Sequence, residues 1–103
     1  MLVHVVLISF RPDTSAEQRQ QVLLDYQGLG ERCGGKDAGI MFWQVDRNLD
    51  QRKDWHLVEL SAFRDDVALR RFREHPAHVQ ATSVLREIAD WAVGDIHSDW
   101  ALD

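Results

Sequence analysis

The sequence almost lacks cysteine, because Cys33 is the only one in 103 residues. A single cysteine excludes an internal disulfide and leaves no thiolate pair for a structural zinc site. The chain also has no phosphate-binding glycine loop, no GxSxG elbow and no cysteine–histidine nucleophile signature. These gaps exclude several common enzyme classes, and the scarcity of cysteine favours a cytoplasmic protein.

The chain has no basic stripe, since acidic and basic residues are interleaved at a net charge of -5. A nucleic acid is therefore not an expected partner. The apolar segment 1–10 contains His4, has no cationic lead and runs into a polar stretch. We therefore expect neither a signal peptide nor a membrane-spanning segment.

The composition is that of one ordinary globular domain. Hydrophobic residues make up 45% of the chain and charged residues 28%, which is typical of a folded protein. The length leaves no room for a second core, and the sequence shows no internal repeat or low-complexity segment. We predict a single domain over residues 1–103.

The first part of the chain predicts a strand followed by a helix. Residues 2–10 are rich in β-branched side chains and end at Arg11-Pro12-Asp13, which favours a buried strand. Thr14-Ser15-Ala16-Glu17 has the spacing of a capping box with Thr14 as the helix N-cap. Apolar residues then recur at three- and four-residue steps, so we predict a helix that stops at residues 34–35.

The rest of the chain predicts two strands, a divided helix and a last strand. Short apolar runs at 40–46 and 55–63 are typical of strands and are joined by a polar connection. The next helix must end near His75, because Pro76 disfavours helical dihedrals in the residue before it. Pro76 suits the first turn of a new helix, and a strand follows over about 91–100.

This order predicts a ferredoxin-like α+β fold, βαββαβ, with a four-stranded antiparallel sheet and the helices on one face. We expect the first and third strands to lie side by side at its centre and to run parallel. With Trp43 and Trp55 among the strand residues, the uncovered face would expose too much apolar area in a monomer. We therefore predict a homodimer.

Two histidines lie on apolar rows of predicted strands. His4 shares its parity with Val6 and Ile8, and His56 shares its parity with Val58. Leu60 lies on the same row as His56 and Val58. If the two strands are neighbours, both imidazoles face one cavity, and we predict that Val6, Ile8 and Val58 line it. The competing interpretation for each is a hydrogen-bonded core histidine.

His78 is the candidate catalytic residue. It lies on the inward side of the first turn of the helix that Pro76 begins, where the helix dipole opposes a positive charge and keeps the imidazole neutral. A neutral imidazole can act as a general base. Tyr26 and Phe72 would complete the pocket, although Tyr26 could instead be a core aromatic residue and His78 a helix cap.

The remaining histidines and a metal site have simpler interpretations. His75 is expected to be a helix N-cap or a surface residue, and His97 to be solvated. Converging histidines could bind zinc or iron, but the predicted inward rows offer no supporting carboxylate, and no element carries an HxH or HxxxH pair. We predict no metal.

The segments VHVVLISFRPDTS, WHLVELSAF and above all HPAHV resemble the stress-responsive dimeric α/β barrel family, Dabb, over nearly the whole chain. The resemblance implies a cofactor-free homodimer in which two sheets pack into one barrel. Members include a plant polyketide cyclase and a hydroxynitrile lyase. By that resemblance His78 matches the catalytic base, while His4, His56 and Tyr26 match pocket residues. Phe72 replaces the tyrosine that assists the base in the cyclase.

These observations support three hypotheses. The first is cofactor-free acid–base catalysis on a small apolar or aromatic molecule, such as a carbonyl compound, by a cyclase-like or lyase-like mechanism. His78 would be the base, and His4, His56 or Tyr26 would stabilise an oxyanion. The second is a non-catalytic protein that binds a small ligand. The third is a haem-dependent monooxygenase on the same barrel, which a Soret band after haem addition would reveal.

Overall fold

The computed structural model describes residues 1–101, so residues 102 and 103 of the predicted domain lie outside the described residues. Four strands, four α-helices and one short 3₁₀ helix form within that range. In chain order they are β1 (Leu2–Phe10), α1 (Ala16–Gln27), α2 (Leu29–Arg32), the 3₁₀ helix (Gly35–Ala38), β2 (Ile40–Arg47), β3 (Leu57–Phe63), α3 (Asp66–Glu74), α4 (Pro76–Arg86) and β4 (Ala89–His97).

The four strands form one sheet in the order β2-β3-β1-β4. Every neighbouring pair is antiparallel, including β1 and β3 at the centre. The expectation that β1 and β3 run parallel was therefore wrong. The crossover through α1 returns β2 in the direction of β1, and the direct connection from β2 reverses β3 before it inserts between them. The antiparallel ferredoxin-like fold itself is confirmed.

Helix α1 begins one residue later and ends earlier than the sequence predicted. Ser15, not Thr14, is the N-cap: its side chain accepts from the Gln18 backbone, and the Gln18 side chain accepts from the Ser15 N–H. The Thr14 hydroxyl instead donates to the carbonyl of Ile88. Helix α1 ends at Gly28, and the apolar stripe continues in the separate short helix α2.

The junction of α3 and α4 lies where the sequence placed it. His75 ends α3 with extended dihedrals, and its Nδ1 accepts from the Ala77 backbone N–H at 3.0 Å, so it is the N-cap of α4. Pro76 is the first residue of that helix. The N-cap interpretation of His75 is confirmed, and His97 at the end of β4 is exposed as expected.

The pairing register decides which side chains face the helices. Val6 lies opposite both Glu59 of β3 and Val93 of β4, so these three side chains share a face. The core under the helices contains the fully buried residues Ile8, Leu29, Ser61, Phe63 and Leu85. The helices therefore cover the even positions of β1 and the odd positions of β3.

The opposite face of the sheet is apolar and has no helix on it. Val5, Leu7, Val58 and Leu60 are only half-buried there, and Ile96 on β4 is 65% exposed. The two tryptophans expected on this face lie elsewhere. Trp43 packs under the helices, and Trp55 belongs to the connection before β3. Aliphatic side chains, rather than tryptophans, make this face apolar.

Trp43 ties β2 to the helices on the covered face. Its indole Nε1 donates to the carbonyl of Tyr26 at 2.8 Å, and its ring lies directly over Gly30. A Cβ atom at position 30 would meet the Trp43 ring at 2.6 Å, closer than real Cβ contacts. Glycine at position 30 is therefore required for this close approach of helix and strand.

Gly30→Ala should destabilise the protein by about 1–3 kcal/mol, because overpacking forces the ring and backbone apart. Denaturant unfolding followed by circular dichroism measures the change in unfolding free energy. Gly28→Ala is the matched control, since the nearest atom to its Cβ is the movable end of the Arg32 side chain at 3.0 Å. Equal stability of the two variants would contradict the account of Trp43 packing.

Candidate active site

A cavity of about 250 Å³ lies between the helix-covered face of the sheet and helices α3 and α4. Every strand except β2 contributes to its wall, and so do α1, α3 and α4. The residues that line it include His4, Tyr26, Glu59, Arg73, His78 and Trp91. Four of the predicted pocket residues, His4, Val6, Tyr26 and His78, therefore meet in one cavity.

His56 does not join this cavity. It precedes β3, its backbone N–H donates to the carbonyl of Ile8 at 2.7 Å, and its Nδ1 accepts from the N–H of Phe10 at 2.9 Å. Its side chain lines an open groove of about 1060 Å³ beside the loop between β2 and β3. The expectation that His4 and His56 face one cavity was wrong, because the register pairs His4 with Ser61 and leaves His56 beyond Leu57, near the other end of β3.

Three further predicted pocket residues have other positions. Val58 lies on the uncovered face of the sheet, because the register turns its neighbour Glu59 towards the helices. Ile8 is wholly buried in the core and does not line the cavity. Phe72 is also buried, but its ring centre lies 4.5 Å from that of His78. Phe72 thus supports the wall against which the candidate base packs.

His78 is held with one ring nitrogen free. Its Nδ1 lies 3.0 Å from the carbonyl oxygen of Arg73. A carbonyl only accepts, so Nδ1 carries the hydrogen and the lone pair of the neutral ring lies at Nε2. Burial lowers the pKa of His78, and the nearby His4, Arg73 and His75 lower it further, against the opposing effect of the Arg73 carbonyl. The ring is neutral near pH 7 mainly because it is buried.

His4 lies between two carboxylates. It is buried in β1, with Nδ1 2.5 Å from Asp95 Oδ1 and Nε2 3.5 Å from Glu59 Oε2. Arg73 holds the other oxygen of Asp95 at 3.0 Å. The expectation that no carboxylate supports the inward histidines was therefore wrong. Because a carboxylate only accepts hydrogen bonds, the Asp95 contact places a hydrogen on Nδ1 of His4 and turns Nε2 towards Glu59.

Glu59 is the functional candidate that the sequence analysis missed. Its side chain is 3% exposed, and burial raises its pKa to about 8. At neutral pH it is therefore a protonated acid that can donate a hydrogen bond. The signal in the sequence was a glutamate in the middle of an apolar strand, between Val58 and Leu60, where a charge has no solvent to face on a buried row.

Tyr26 presents a buried hydroxyl that makes no hydrogen bond among the described residues. Burial raises the pKa of this phenol, and the nearby Glu59 and Asp25 raise it further. It therefore stays protonated and can donate a hydrogen bond. A buried polar atom without a partner costs free energy unless a ligand or water satisfies it, which makes the Tyr26 hydroxyl a candidate contact for a bound molecule.

Residues 1–101 contain neither a cluster of metal ligands nor a membrane-spanning helix. No three His, Cys, Asp or Glu side chains in that range lie close enough together to hold a metal ion. No helix there is long and apolar enough to cross a membrane. The expected lack of a cofactor and the cytoplasmic location stay predictions.

Comparison with known proteins places the chain in a family. A family model described as the stress responsive A/B barrel domain, Dabb, matches residues 2–98. An uncharacterized protein of Streptomyces coelicolor is 29% identical over 96 residues, covering 92% of this chain and 97% of that protein.

Solved structures share the fold over nearly their whole length. A dimeric protein of unknown function from Bacteroides fragilis is 24% identical, with a TM-score of 0.78, covering 94% of this chain and 95% of that one. The cofactor-independent oxygenase SnoaB from Streptomyces nogalater is 17% identical, with a TM-score of 0.72, covering 98% and 95%. At these identities the likeness establishes the fold alone.

The strand order and the cavity under the helices define a ferredoxin-like α+β domain with an internal polar site. The chain belongs to the Dabb stress-responsive A/B barrel family, because the family model spans nearly all of it. The resemblance to this family that the sequence indicated is thereby confirmed.

The pH dependence of stability should report on Glu59. Its pKa is about 8 in the folded protein and 4.5 without the fold, so the folded state binds more protons between these values and stability falls as pH rises. Between pH 6.5 and 8 the unfolding free energy should fall by about 1–2 kcal/mol. The pKa of His78 is lowered from its ordinary value of 6.5, so this group changes the stability only below pH 6.5 and not within this range.

Glu59→Gln should flatten this slope, whereas Glu74→Gln, at an exposed position on α3, should keep it. Urea unfolding at one fixed protein concentration measures both slopes. Parallel slopes for the wild type and Glu59→Gln would show that Glu59 is ionised in the folded protein.

Proposed function

We propose that this protein is a cofactor-independent acid–base catalyst that acts on a small apolar or aromatic carbonyl compound in the 250 Å³ cavity. His78 is the general base. The observation that carries the proposal is the hydrogen bond from His78 Nδ1 to the Arg73 carbonyl, which leaves the lone pair at Nε2 of a ring that burial keeps neutral. A positioned base of this kind contributes roughly 10²–10⁴-fold to a reaction rate.

The other polar groups of the cavity suit the charge that such a reaction creates. When a base removes a proton next to a carbonyl group, negative charge develops on the carbonyl oxygen. The Tyr26 hydroxyl is protonated, buried and without a partner. His4 lies in the same wall. The proposal assigns oxyanion stabilisation to the Tyr26 hydroxyl. It leaves out His4, whose ring nitrogens face Asp95 and Glu59, and His56, which lines a different groove.

The walls of the cavity support an apolar or aromatic ligand. Val6, Leu85 and Trp91 line it, and the buried ring of Phe72 lies behind His78. The exposed Arg86, which also lines the cavity, lies over the Trp91 ring with its guanidinium carbon 5.7 Å from the ring centre. A flat molecule with one carbonyl group matches apolar walls with a few converging polar groups.

Phe72 favours a second candidate function, ligand binding without turnover. The resemblance to the plant cyclase implies a tyrosine at this position, and phenylalanine supplies no hydroxyl to polarise a substrate. Phe72 is packed against His78, Phe63 and Trp43, as a core residue is. A cyclase-like or lyase-like reaction must therefore use other donors, whereas a binding protein would need none.

His78→Gln separates catalysis from binding. The probe reaction is the exchange of the acidic hydrogens of β-tetralone, an aryl ketone, with deuterium from solvent, followed by NMR. We expect wild-type protein to accelerate this exchange and His78→Gln to lower the rate by about 10²–10⁴-fold, because glutamine has no basic nitrogen.

His97→Gln is the matched control, since His97 is exposed and lies outside the cavity, and it should exchange as the wild type does. Exchange that survives His78→Gln would contradict the base assignment. Saturable binding of β-tetralone without exchange in the wild type would support the binding function instead.

We also propose that two copies of the chain pair through the uncovered face of the sheet. Val5, Leu7, Val58 and Leu60 form a half-buried apolar patch there, and such a patch is rare on a monomer surface. The structural relative from Bacteroides fragilis is described as dimeric. Packing two such sheets face to face would bury these side chains and produce the barrel after which the family is named.

Leu60→Lys should convert the dimer to a folded monomer, because two lysines would meet in an apolar interface. Light scattering should give a mass near twice 11.9 kDa for the wild type and near 11.9 kDa for the variant. Leu24→Lys is the control on α1, where Leu24 is 53% exposed. A wild-type mass near 11.9 kDa at micromolar concentration would contradict the dimer.

A further inference from the structure

We propose that Glu59 is the proton donor of the cavity, delivering its carboxylic acid hydrogen to the carbonyl oxygen of a substrate while His78 takes a hydrogen from the adjacent carbon. The inference rests on the proposed function and deepens it. It names the substrate class as a ketone or aldehyde with at least one hydrogen on the carbon next to the carbonyl group. The reaction is reversible enolisation.

The position of Glu59 is set by the sheet. It lies in the middle of β3, opposite Val6 of β1 and Val45 of β2, so neighbouring strands flank it on both sides. Its carboxyl group lines the cavity that also contains His78. A side chain held in a central strand has little freedom, and acid and base are thus presented to the same small volume from the sheet and from a helix.

The titratable groups around Glu59 come from every element near it. His4 on β1 is in contact, with 3.5 Å between Nε2 and Oε2, and Asp95 on β4 lies behind His4 with Arg73 of α3. Tyr26 of α1 and His78 of α4 share its cavity. Burial raises the pKa of the Cys33 thiol at the end of α2, and the nearby Glu59 raises it further.

His4 is a positioning residue for Glu59. Its Nδ1 is bonded to Asp95, and its Nε2 lies 3.5 Å from Glu59 Oε2. The imidazole is buried in β1, so it holds the Glu59 side chain from one side while the cavity lies on the other.

The two other donors in the cavity are less suited to deliver a proton. The two ring nitrogens of His4 face the carboxyl groups of Asp95 and Glu59, so neither is directed freely at a ligand. The pKa of Tyr26 is raised by burial, so its hydroxyl can donate a hydrogen bond but holds its proton. Glu59, with a pKa near 8, is close to neutrality, which is where proton transfer is efficient.

The proposed step balances without any other reactant. The C–H bond breaks, its proton goes to Nε2 of His78, and its electron pair forms the C=C bond of the enol. The C=O π electrons take the proton of Glu59 to form the enol O–H. On return, the enol O–H gives its proton back to Glu59, and the carbon takes hydrogen or solvent deuterium from His78. No group is oxidised or reduced.

Glu59→Gln tests the step in the β-tetralone exchange assay. Glutamine keeps the size of the side chain and can still donate a hydrogen bond, but it cannot transfer a proton. We expect the exchange rate to fall by about 10²-fold or more, while Glu74→Gln leaves it unchanged. The wild-type exchange rate should decrease at high pH as Glu59 ionises. Glu59→Gln should not show this decrease.

The charge state of Glu59 is measured independently of turnover. The infrared difference spectrum between the wild type and Glu59→Gln at pH 7 should contain one protonated carboxyl band. Its absence, with only carboxylate bands in the difference, would overturn the inference. Full exchange activity in Glu59→Gln would also overturn it, even if the carboxyl group is protonated.

These results separate the inference from the proposed function. Loss of exchange in His78→Gln with full exchange in Glu59→Gln would support His78 as the base and contradict Glu59 as the proton donor. Loss in Glu59→Gln with full exchange in His78→Gln contradicts the base assignment of the proposed function. Loss in both, together with the protonated carboxyl band, supports the acid–base pair.

Discussion

The register of β1 against its two neighbours is the constraint on which the site depends. It places His4 opposite Asp95, and Val6 opposite Glu59, on the face that the helices cover. A slip of one residue in β3 would turn Glu59 to the uncovered face and bring Val58 inward. The sheet thus determines that a histidine between two carboxylates, rather than an apolar row, forms the floor of the cavity.

Burial then sets the protonation of the two central groups in opposite directions. It lowers the pKa of His78, so the ring is neutral, and raises that of Glu59, so the carboxyl group is protonated. Acid–base sites typically contain pairs of titratable groups whose pKa values are shifted in opposite directions by their surroundings. A neutral base and a neutral acid also avoid leaving an unpaired charge at a buried position.

The fold was predictable from the sequence because its local signals are strong. The β-branched run of β1, the capping residues before α1 and the His75-Pro76 boundary each have one simple structural solution. The N-cap was misplaced by one residue because Thr14 and Ser15 can both cap a helix, and only the contact of Thr14 with Ile88 distinguishes them.

The site was only partly predictable, because apolar alternation fails for a sheet that is apolar on both faces. Val58 and Leu60 are more hydrophobic than Glu59, so parity alone assigned them to the core. Yet Glu59 lies under the helices, and the valine and leucine form the face proposed to pair with a second copy. His56 was misassigned for a related reason, since it precedes a strand that the sequence began two residues early.

The most direct test of this account is the tautomer of His78, read from the ring ¹⁵N chemical shifts of the protein at pH 7, with His78→Gln to assign the signals. The account predicts a neutral ring with hydrogen on Nδ1 and a bare Nε2, as the Arg73 carbonyl contact requires. A charged ring, or hydrogen on Nε2, would leave no base facing the cavity and would contradict it.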